Sequence, residues 1–422
     1  VLAAVWVLPP AVSTFRHLCP VRPDGVTEAH AVPAFARRYN MACSQCHTDF
    51  PMLNSYGRQF MINGYVRERG KNDSVDNYVQ FPDPSSEKLL KNMPVGGLIT
   101  LTPFSKTNST DREYQQTAMD AIALFFSGGN LMGDNFSLWS IMEAAHDDTP
   151  GTNADTGYYV RFPELQAGWH PSQYFNILAG NRSFYLSDPY QNLSNMGNVT
   201  NADRQLVAEG YNAQYALDSA DQPNQTMMAY GTLEKEGVGS LYYAGGLSAD
   251  QKNANGDGPK SVHTRLAYDT LGGLEVGAFG SFGQTGCAAN CQATQKFKYS
   301  RMGVDALGEF AGFTTRAVYM SAYDRAEDTN ARENNRAAYG EVAYSFKKDE
   351  RPWFVPLFRV DWRQKGNGAQ TYADVVGQLA YFYKENVKAS IEYMGDTKQD
   401  AASGTPRAAK DHYWMGRVQL GF

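Results

Sequence analysis

Most of this 422-residue chain alternates between apolar and polar residues with a period of two. In the segment VKASIEYM, Val387, Ala389 and Ile391 fall on one face, whereas Lys388 and Glu392 fall on the other. The same pattern recurs in VHTRLAYD (262–269) and FRVDWR (358–363). Because successive side chains of a strand point to opposite faces, the pattern predicts β-strands with one apolar and one charged face. A soluble sandwich and a membrane barrel both satisfy this pattern.

The connections between the strand-like segments decide between these two architectures. Short turns are predicted at 170–173, 271–273, 311–313, 347–352 and 384–387. Long polar loops lie between them, including 324–335 and 395–411. Short turns at one rim and long loops at the other are typical of outer-membrane barrels.

The strand count follows from this alternation of turns and loops. A direct count gives 17 strand-like segments, which breaks the alternation near 206–248. An even number of 16 results if 206–217 belongs to a long surface loop that starts near Arg182 and if 234–239 is a short turn. Bacterial single-chain barrels have even numbers of strands. We therefore predict a mainly β fold, a 16-stranded antiparallel outer-membrane β-barrel.

The last residues of the chain support the barrel. In HYWMGRVQLGF, Trp414, Val418 and Phe422 share one face, while Arg417 and Gln419 share the other. A final strand of this kind that ends in Phe resembles the recognition signal of bacterial outer-membrane proteins.

A second feature precedes the barrel, the sequence Cys43-Ser-Gln-Cys46-His47. Two cysteines at this spacing followed by histidine are typical of covalent attachment of a c-type haem. One helical turn presents both sulfurs to the two haem vinyl groups, and the adjacent imidazole binds the iron. A thioredoxin-like redox pair would need a βαβ context, which the surrounding sequence does not show, and a disulfide between the two cysteines is the remaining alternative.

The sequence offers several candidates for the sixth ligand of such a haem iron. Met61 lies in the same helix-like segment as His47 and is our candidate distal ligand. The alternatives are Met52 and Met93, whereas Met41 is too close to the attachment turn. A second histidine ligand near the small domain would have to be His30, which the predicted cleavage would remove, because His146, His170, His263 and His412 lie in the barrel region.

These features divide the chain into four parts. Residues 1–31 are interpreted as a signal-peptide remnant or N-terminal arm, with Ala29-His30-Ala31 as a possible cleavage site. Residues 32–66 form a helical haem domain, 67–93 a polar linker, and 94–422 the porin-like barrel. Helical spacing of Phe50, Leu53 and Phe60 supports the helices.

Charge and cysteine content limit the remaining functions. The net charge is -6 and no long basic run occurs, so nucleic-acid binding has no electrostatic support. No segment approaches the roughly 18 consecutive apolar residues of a membrane-spanning helix. The spacing of Cys287 and Cys291 suits a small disulfide loop, with a zinc site shared with the first cysteine pair as the alternative. Cys19 falls in the leader region.

The haem segment also carries a family resemblance. Pro33-x-Phe35-Ala36-Arg37, the haem motif, Pro51-x-Leu53-Asn54 and Gly57-x-x-Phe60, ahead of a barrel, resemble the monohaem porin–cytochrome c fusions of iron-oxidising bacteria. The resemblance implies an outer-membrane protein that oxidises extracellular Fe(II) through one covalent haem c. It also implies a periplasmic c-type cytochrome or copper protein as electron acceptor. The haem domain is then expected in, or at the mouth of, the lumen of a barrel that sits in outer-membrane lipid.

The Fe(II) site cannot be read from the sequence. Loop carboxylates offer the oxygen ligands that hard cations prefer, but solvated loop charges are the expected interpretation of such residues. They are Asp111, Glu113, Asp147, Asp148, Glu327 and Asp328. Two rival functions stay open: a solute channel whose haem senses or gates, and an electron conduit that serves another external donor or acceptor.

Overall fold

The structure is a computed structural model. It describes residues 41–49, 52–63, 95–107, 112–129, 133–146, 159–181, 225–249, 259–286, 296–325, 332–349, 351–400 and 412–421. The predicted leader (1–31), the linker (67–93), Cys19, Cys287, Cys291 and the loop segment 206–217 lie outside these residues. No helix in the described part of the chain is long and apolar enough to cross a membrane.

The described residues form a small N-terminal unit and one large antiparallel sheet. The N-terminal unit contains α1 (Cys43–Cys46), β1 (His47–Asp49), β2 (Met52–Leu53) and α2 (Ser55–Ile62). The sheet consists of β3 (Val95–Thr107), β4 (Arg112–Gly129), β5 (Gly133–His146), β6 (Tyr159–Trp169), β7 (Asn176–Asn181), β8 (Gln225–Lys235), β9 (Gly239–Ala249), β10 (Pro259–Thr270), β11 (Leu274–Gly286), β12 (Lys296–Phe310), β13 (Phe313–Arg325), β14 (Arg332–Tyr344), β15 (Phe346–Lys348), β16 (Arg351–Lys365), β17 (Gln370–Lys384), β18 (Val387–Asp400) and β19 (His412–Gly421).

These strands close into a barrel in which sequence neighbours pair with each other. The last strand, β19, pairs antiparallel with the first, β3, and so completes the ring. Both β14 and β15 pair with β16 and are separated only by Ser345, so they count as one interrupted strand. The described residues therefore form a 16-stranded barrel, and the predicted fold class is confirmed.

The predicted two-residue alternation is visible in the exposure of the strands. Arg359 and Asp361 on β16 are 0% and 2% exposed, whereas Phe358 and Val360 between them are 51% and 41% exposed. On β18, Lys388 is buried and Ile391 is exposed. Charged side chains thus face the lumen and apolar side chains face outward, which is the reverse of a soluble core.

The short turns occur where the sequence predicts them. The connections at 170–175, 236–238, 271–273, 311–312, 349–350 and 385–386 join neighbouring strands at one rim of the barrel, which we call the turn rim. The tightest one places Ala311 at φ 49 and Gly312 at φ 86. Left-handed conformations of this kind match the twist of the flanking strands in two-residue hairpins.

The N-terminal unit is less helical than the sequence predicts. Short helices with helical spacing from Phe50 onward were expected, but β1 and β2 pair with each other and α2 begins only at Ser55. Asn54 explains the later start, because its side chain accepts a hydrogen bond from the Gly57 N–H at 2.9 Å and so caps the helix.

Candidate functional site

The sequence-predicted haem-binding residues lie together at the start of the N-terminal unit. Cys43 and Cys46 are the first and last residues of α1, so their side chains are one helical turn apart. His47 follows directly, and its backbone is already extended, with φ at -128°. All three residues are buried, and within the described residues neither cysteine forms a disulfide.

Helix α2 packs closely against this turn. A Cβ atom on Gly57 would lie 2.3 Å from the carbonyl oxygen of Cys46, so only glycine permits this approach. The Asn54 N–H donates to the same carbonyl at 2.9 Å, and the Asn54 side-chain amide donates to the carbonyl of Gln45 at 3.0 Å. Asn54 and Gly57 therefore fix the position of α1 relative to α2.

The barrel holds the N-terminal unit through polar contacts around half of the ring. The Cys43 N–H donates to Glu385 in the β17–β18 turn, and the Ser55 N–H donates to Glu309 on β12, each at 2.8 Å. At the other end of α2, the Tyr230 hydroxyl on β8 donates to the Ile62 carbonyl at 2.8 Å. Since β8 and the β17–β18 turn are on opposite sides of the ring, the unit crosses from one side of the barrel wall to the other.

Three charged contacts add to this attachment. Lys388 Nζ on β18 lies 3.2 Å from Asp49 Oδ1, and both side chains are almost completely buried. Arg58 Nη1 on α2 lies 2.8 Å from Glu275 Oε2 on β11. Arg316 on β13 donates to the Leu53 carbonyl at 3.2 Å. Burial raises the pKa of Asp49 to about 6, although the nearby Lys388 charge acts in the opposite direction.

The Glu275 contact continues into the wall of the barrel. Glu275 Oε1 also lies 3.0 Å from Arg265 Nη2, and Arg265 Nη1 lies 2.6 Å from Asp305 Oδ2. These four side chains form a row of alternating charges from α2 across β11, β10 and β12. Arg265 and Asp305 are buried and Arg58 and Glu275 partly buried, and such charges are tolerated because each has an opposite partner.

The methionines of the N-terminal unit occupy different surroundings. Met61, the predicted distal ligand, packs with Ile62 against an apolar cluster that includes Leu178 and Met228 on β7 and β8. Met52 is completely buried among side chains of β14, β16 and β17. The Met41 sulfur lies 3.6 Å from the Tyr56 hydroxyl. These placements do not test ligation, and Met61 stays a prediction.

Three other histidines contact barrel residues. His170 Nε2 lies 2.7 Å from Ser137 Oγ, and its Nδ1 lies 3.2 Å from the Tyr230 hydroxyl. His263 contacts Ser248 on the lumen side, and His412 contacts Tyr393. His146 lies on β5, while His30 and Met93 are outside the described residues.

The loop carboxylates proposed for Fe(II) fall mostly outside the described residues. Only Glu113 lies in a described strand, β4. Within the described part of the chain, no group of three or more His, Cys, Asp or Glu side chains is arranged to hold a metal ion.

Several residues at the site were not predicted from the sequence. Glu385, Glu309, Tyr230 and the Lys388–Asp49 pair join positions that are far apart in the chain, such as the 342 residues between Cys43 and Glu385. Lys388 had one detectable signal, since a charged residue on the inner face of a barrel strand needs a partner. Its partner could not be inferred from spacing.

Comparison with known proteins identifies the fold of the barrel. The anion-selective porin of Comamonas acidovorans matches with a TM-score of 0.57 at 9% identity, covering 78% of this chain and 98% of its own. OmpF of Salmonella typhi, in complex with daunomycin, matches with a TM-score of 0.55 at 15% identity, covering 78% of this chain and 97% of the OmpF chain. OmpT of Vibrio cholerae matches with a TM-score of 0.52 at 13% identity, covering 78% of this chain and 98% of the OmpT chain.

These similarities show that the chain has the fold of outer-membrane porins. No protein-family profile matches the chain, and no curated protein sequence matches it. The matches cover the solved porins almost completely. They cover 78% of this chain, so the remaining 22% has no counterpart in the aligned porins.

Proposed function

We propose that this chain is an outer-membrane electron-transfer protein that oxidises extracellular Fe(II) and passes the electron through one covalent haem c to a periplasmic carrier. The observation that carries the proposal is the Cys43–His47 turn, which has the residue types and order of a haem attachment site and is bonded into a porin-fold barrel. Its overall reaction is that of an Fe(II):cytochrome c oxidoreductase.

The residues present fit the proposed group. Cys43 and Cys46 supply two thiols one helical turn apart for thioether bonds, and His47 supplies the imidazole for the iron. Arg58 Nε is buried and has no hydrogen-bond partner within the described residues, so it offers a donor to an anionic group such as a haem propionate. When bound, haem c supplies a one-electron carrier that cycles between Fe(III) and Fe(II).

The position of the attachment turn suits electron delivery to the periplasm. In outer-membrane barrels the short turns face the periplasm and the long loops face outward. Cys43 contacts the β17–β18 turn and Ser55 contacts the end of β12, both at the turn rim. A periplasmic cytochrome or copper protein could therefore approach the rim to which the attachment turn is bonded.

The contacts between the N-terminal unit and the barrel wall favour a role for this unit as a fixed plug of the lumen. Buried carboxylates and a buried ion pair hold residues 43–62 to the wall, and breaking such contacts is costly. The barrel with 16 strands is wide enough to enclose a plug.

The decisive experiment mixes the purified, oxidised protein in detergent with Fe(II) at acidic pH and records the haem spectrum. We expect the absorption bands of reduced haem to appear in the unchanged protein and in His412→Ala, a change on β19. His47→Ala should abolish the response. If haem is present but Fe(II) does not reduce it, the iron-oxidising function is wrong and another donor or acceptor must be sought.

A solute channel is the second candidate, and the porin fold favours it. Reconstitution into liposomes separates the two functions. The electron-transfer proposal predicts slow solute flux that increases when the plug is loosened by Lys388→Met. Rapid flux through the unchanged protein would favour the channel.

A further inference from the structure

Glu385 connects the haem attachment turn to a surface arginine. It lies in the turn between β17 and β18, and its side chain is only 5% exposed. Its Oε2 accepts the hydrogen bond from the Cys43 N–H at 2.8 Å. Its Oε1 lies 3.3 Å from Nε of Arg351, whose side chain is 48% exposed. One carboxylate therefore links Cys43 to the turn rim.

The turn at Cys43 depends on this carboxylate for its position. Ala42, which precedes α1, provides no side-chain hydrogen bond to the turn. The Cys43 N–H donates to an acceptor that the barrel provides. A buried N–H without an acceptor is costly, so the bond specifies where Cys43 sits.

The charge of Glu385 has a second consequence. A negative charge in a poorly solvated position stabilises Fe(III) relative to Fe(II), because the ferric haem carries one more positive charge. The partly exposed Arg351 acts in the opposite sense and offsets part of this effect. The two residues should therefore shift the reduction potential of a nearby haem in opposite directions.

We propose that Glu385 is a positioning residue that fixes Cys43 and lowers the haem reduction potential, with Arg351 as its opposing charge. This inference rests on the proposed function, because it requires haem at Cys43, Cys46 and His47. It adds a means by which the barrel wall, rather than the haem segment, sets the electron-transfer properties.

The test is a redox titration of the purified holoprotein with Glu385→Gln and Arg351→Gln. At a fixed ambient potential, Glu385→Gln should raise the ratio of reduced to oxidised haem severalfold, and Arg351→Gln should lower it. A tenfold change in this ratio corresponds to about 59 mV for a one-electron couple. Glu236→Gln is the matched control, because Glu236 is exposed in the β8–β9 turn on the opposite side of the ring.

Opposite signs for the two variants support the proposal, because a loosened turn alone would expose the haem to water and shift both potentials the same way. Shifts of equal sign, or shifts no larger than that of Glu236→Gln, overturn it. If Glu385→Gln binds too little haem, Glu385→Asp keeps the charge and should retain a potential near that of the unchanged protein. A haem-free wild-type protein would instead refute the proposed function itself.

Discussion

The buried ion pair between Lys388 and Asp49 gives the strongest prediction about how the N-terminal unit is held in the barrel. Lys388 Nζ and Asp49 Oδ1 are 3.2 Å apart, with side-chain exposures of 1% and 0%. Above the Asp49 pKa of about 6, Lys388→Met keeps the length of the side chain but leaves the ionised Asp49 carboxylate buried without its partner. Removal of one member of a buried pair costs about 3–5 kcal/mol. We expect this loss to appear as local opening of residues 43–53, because the barrel itself remains closed.

Hydrogen exchange measures this opening directly. A loss of 3–5 kcal/mol corresponds to an increase in exchange rate of about 10²- to 5 × 10³-fold for amides that exchange through local opening. Exchange should rise in β1 and β2 and remain unchanged in strands such as β5. Lys384→Met is the matched control, because Lys384 is exposed four positions earlier in the chain.

A double variant separates the lost charge from lost packing. Asp49→Leu combined with Lys388→Met replaces both charges by apolar groups, which is often close to neutral for a buried pair. Most of the protection should therefore return. If Lys388→Met exchanges no faster than Lys384→Met, the ion pair does not hold the unit and the reasoning is refuted.

Three further changes have defined outcomes. Gly57→Ala should displace the Cys46 carbonyl, lower the yield of haem-loaded protein and destabilise the N-terminal unit by about 1–3 kcal/mol. Gly340→Ala is the control, because a Cβ atom at Gly340 meets open space, and it should change neither quantity. Equal haem yields for the two variants would contradict the close packing. Tyr230→Phe removes the hydroxyl that donates to the Ile62 carbonyl. The free energy of local opening at the end of α2 should fall by about 1–2 kcal/mol, so hydrogen exchange there should become faster. Unchanged exchange would refute the role of this hydrogen bond in holding α2. Because the pKa of Asp49 is raised to about 6, its protonated form favours the folded N-terminal unit. The stability that this group contributes is complete below pH 3.8 and is lost as the pH rises through about 6. Hydrogen exchange in β1 that does not depend on pH, after correction for the intrinsic exchange rate, would contradict this.

The barrel could be predicted from the sequence because its determinants are local. The alternation in 387–394 depends only on the period of a strand, and the turns at 271–273 and 311–313 follow from glycines next to strand ends. The count of 16 followed once 206–217 was assigned to a loop that starts near Arg182 and 234–239 to a short turn, and the closed ring confirms the count.

The attachment of the N-terminal unit could not be predicted, because it depends on contacts over long sequence distances. Asp49 and Lys388 are 339 positions apart, and Ser55 and Glu309 are 254 apart. No spacing rule pairs such residues; only the closure of the barrel brings the β17–β18 turn and β12 to the same rim. The late start of α2 was accessible in principle, since Asn54 three residues before Gly57 is a favourable N-cap.

The central claim is that one covalent haem is attached at Cys43 and Cys46 inside a porin-fold barrel. Mass spectrometry of the purified protein, intact and after proteolysis, tests it most directly. The account predicts a mass increase of one haem that maps to the peptide with residues 43–47 and disappears in the variant with both Cys43→Ala and Cys46→Ala. A folded barrel purified from a host that matures c-type cytochromes, with no haem on this peptide, would contradict it.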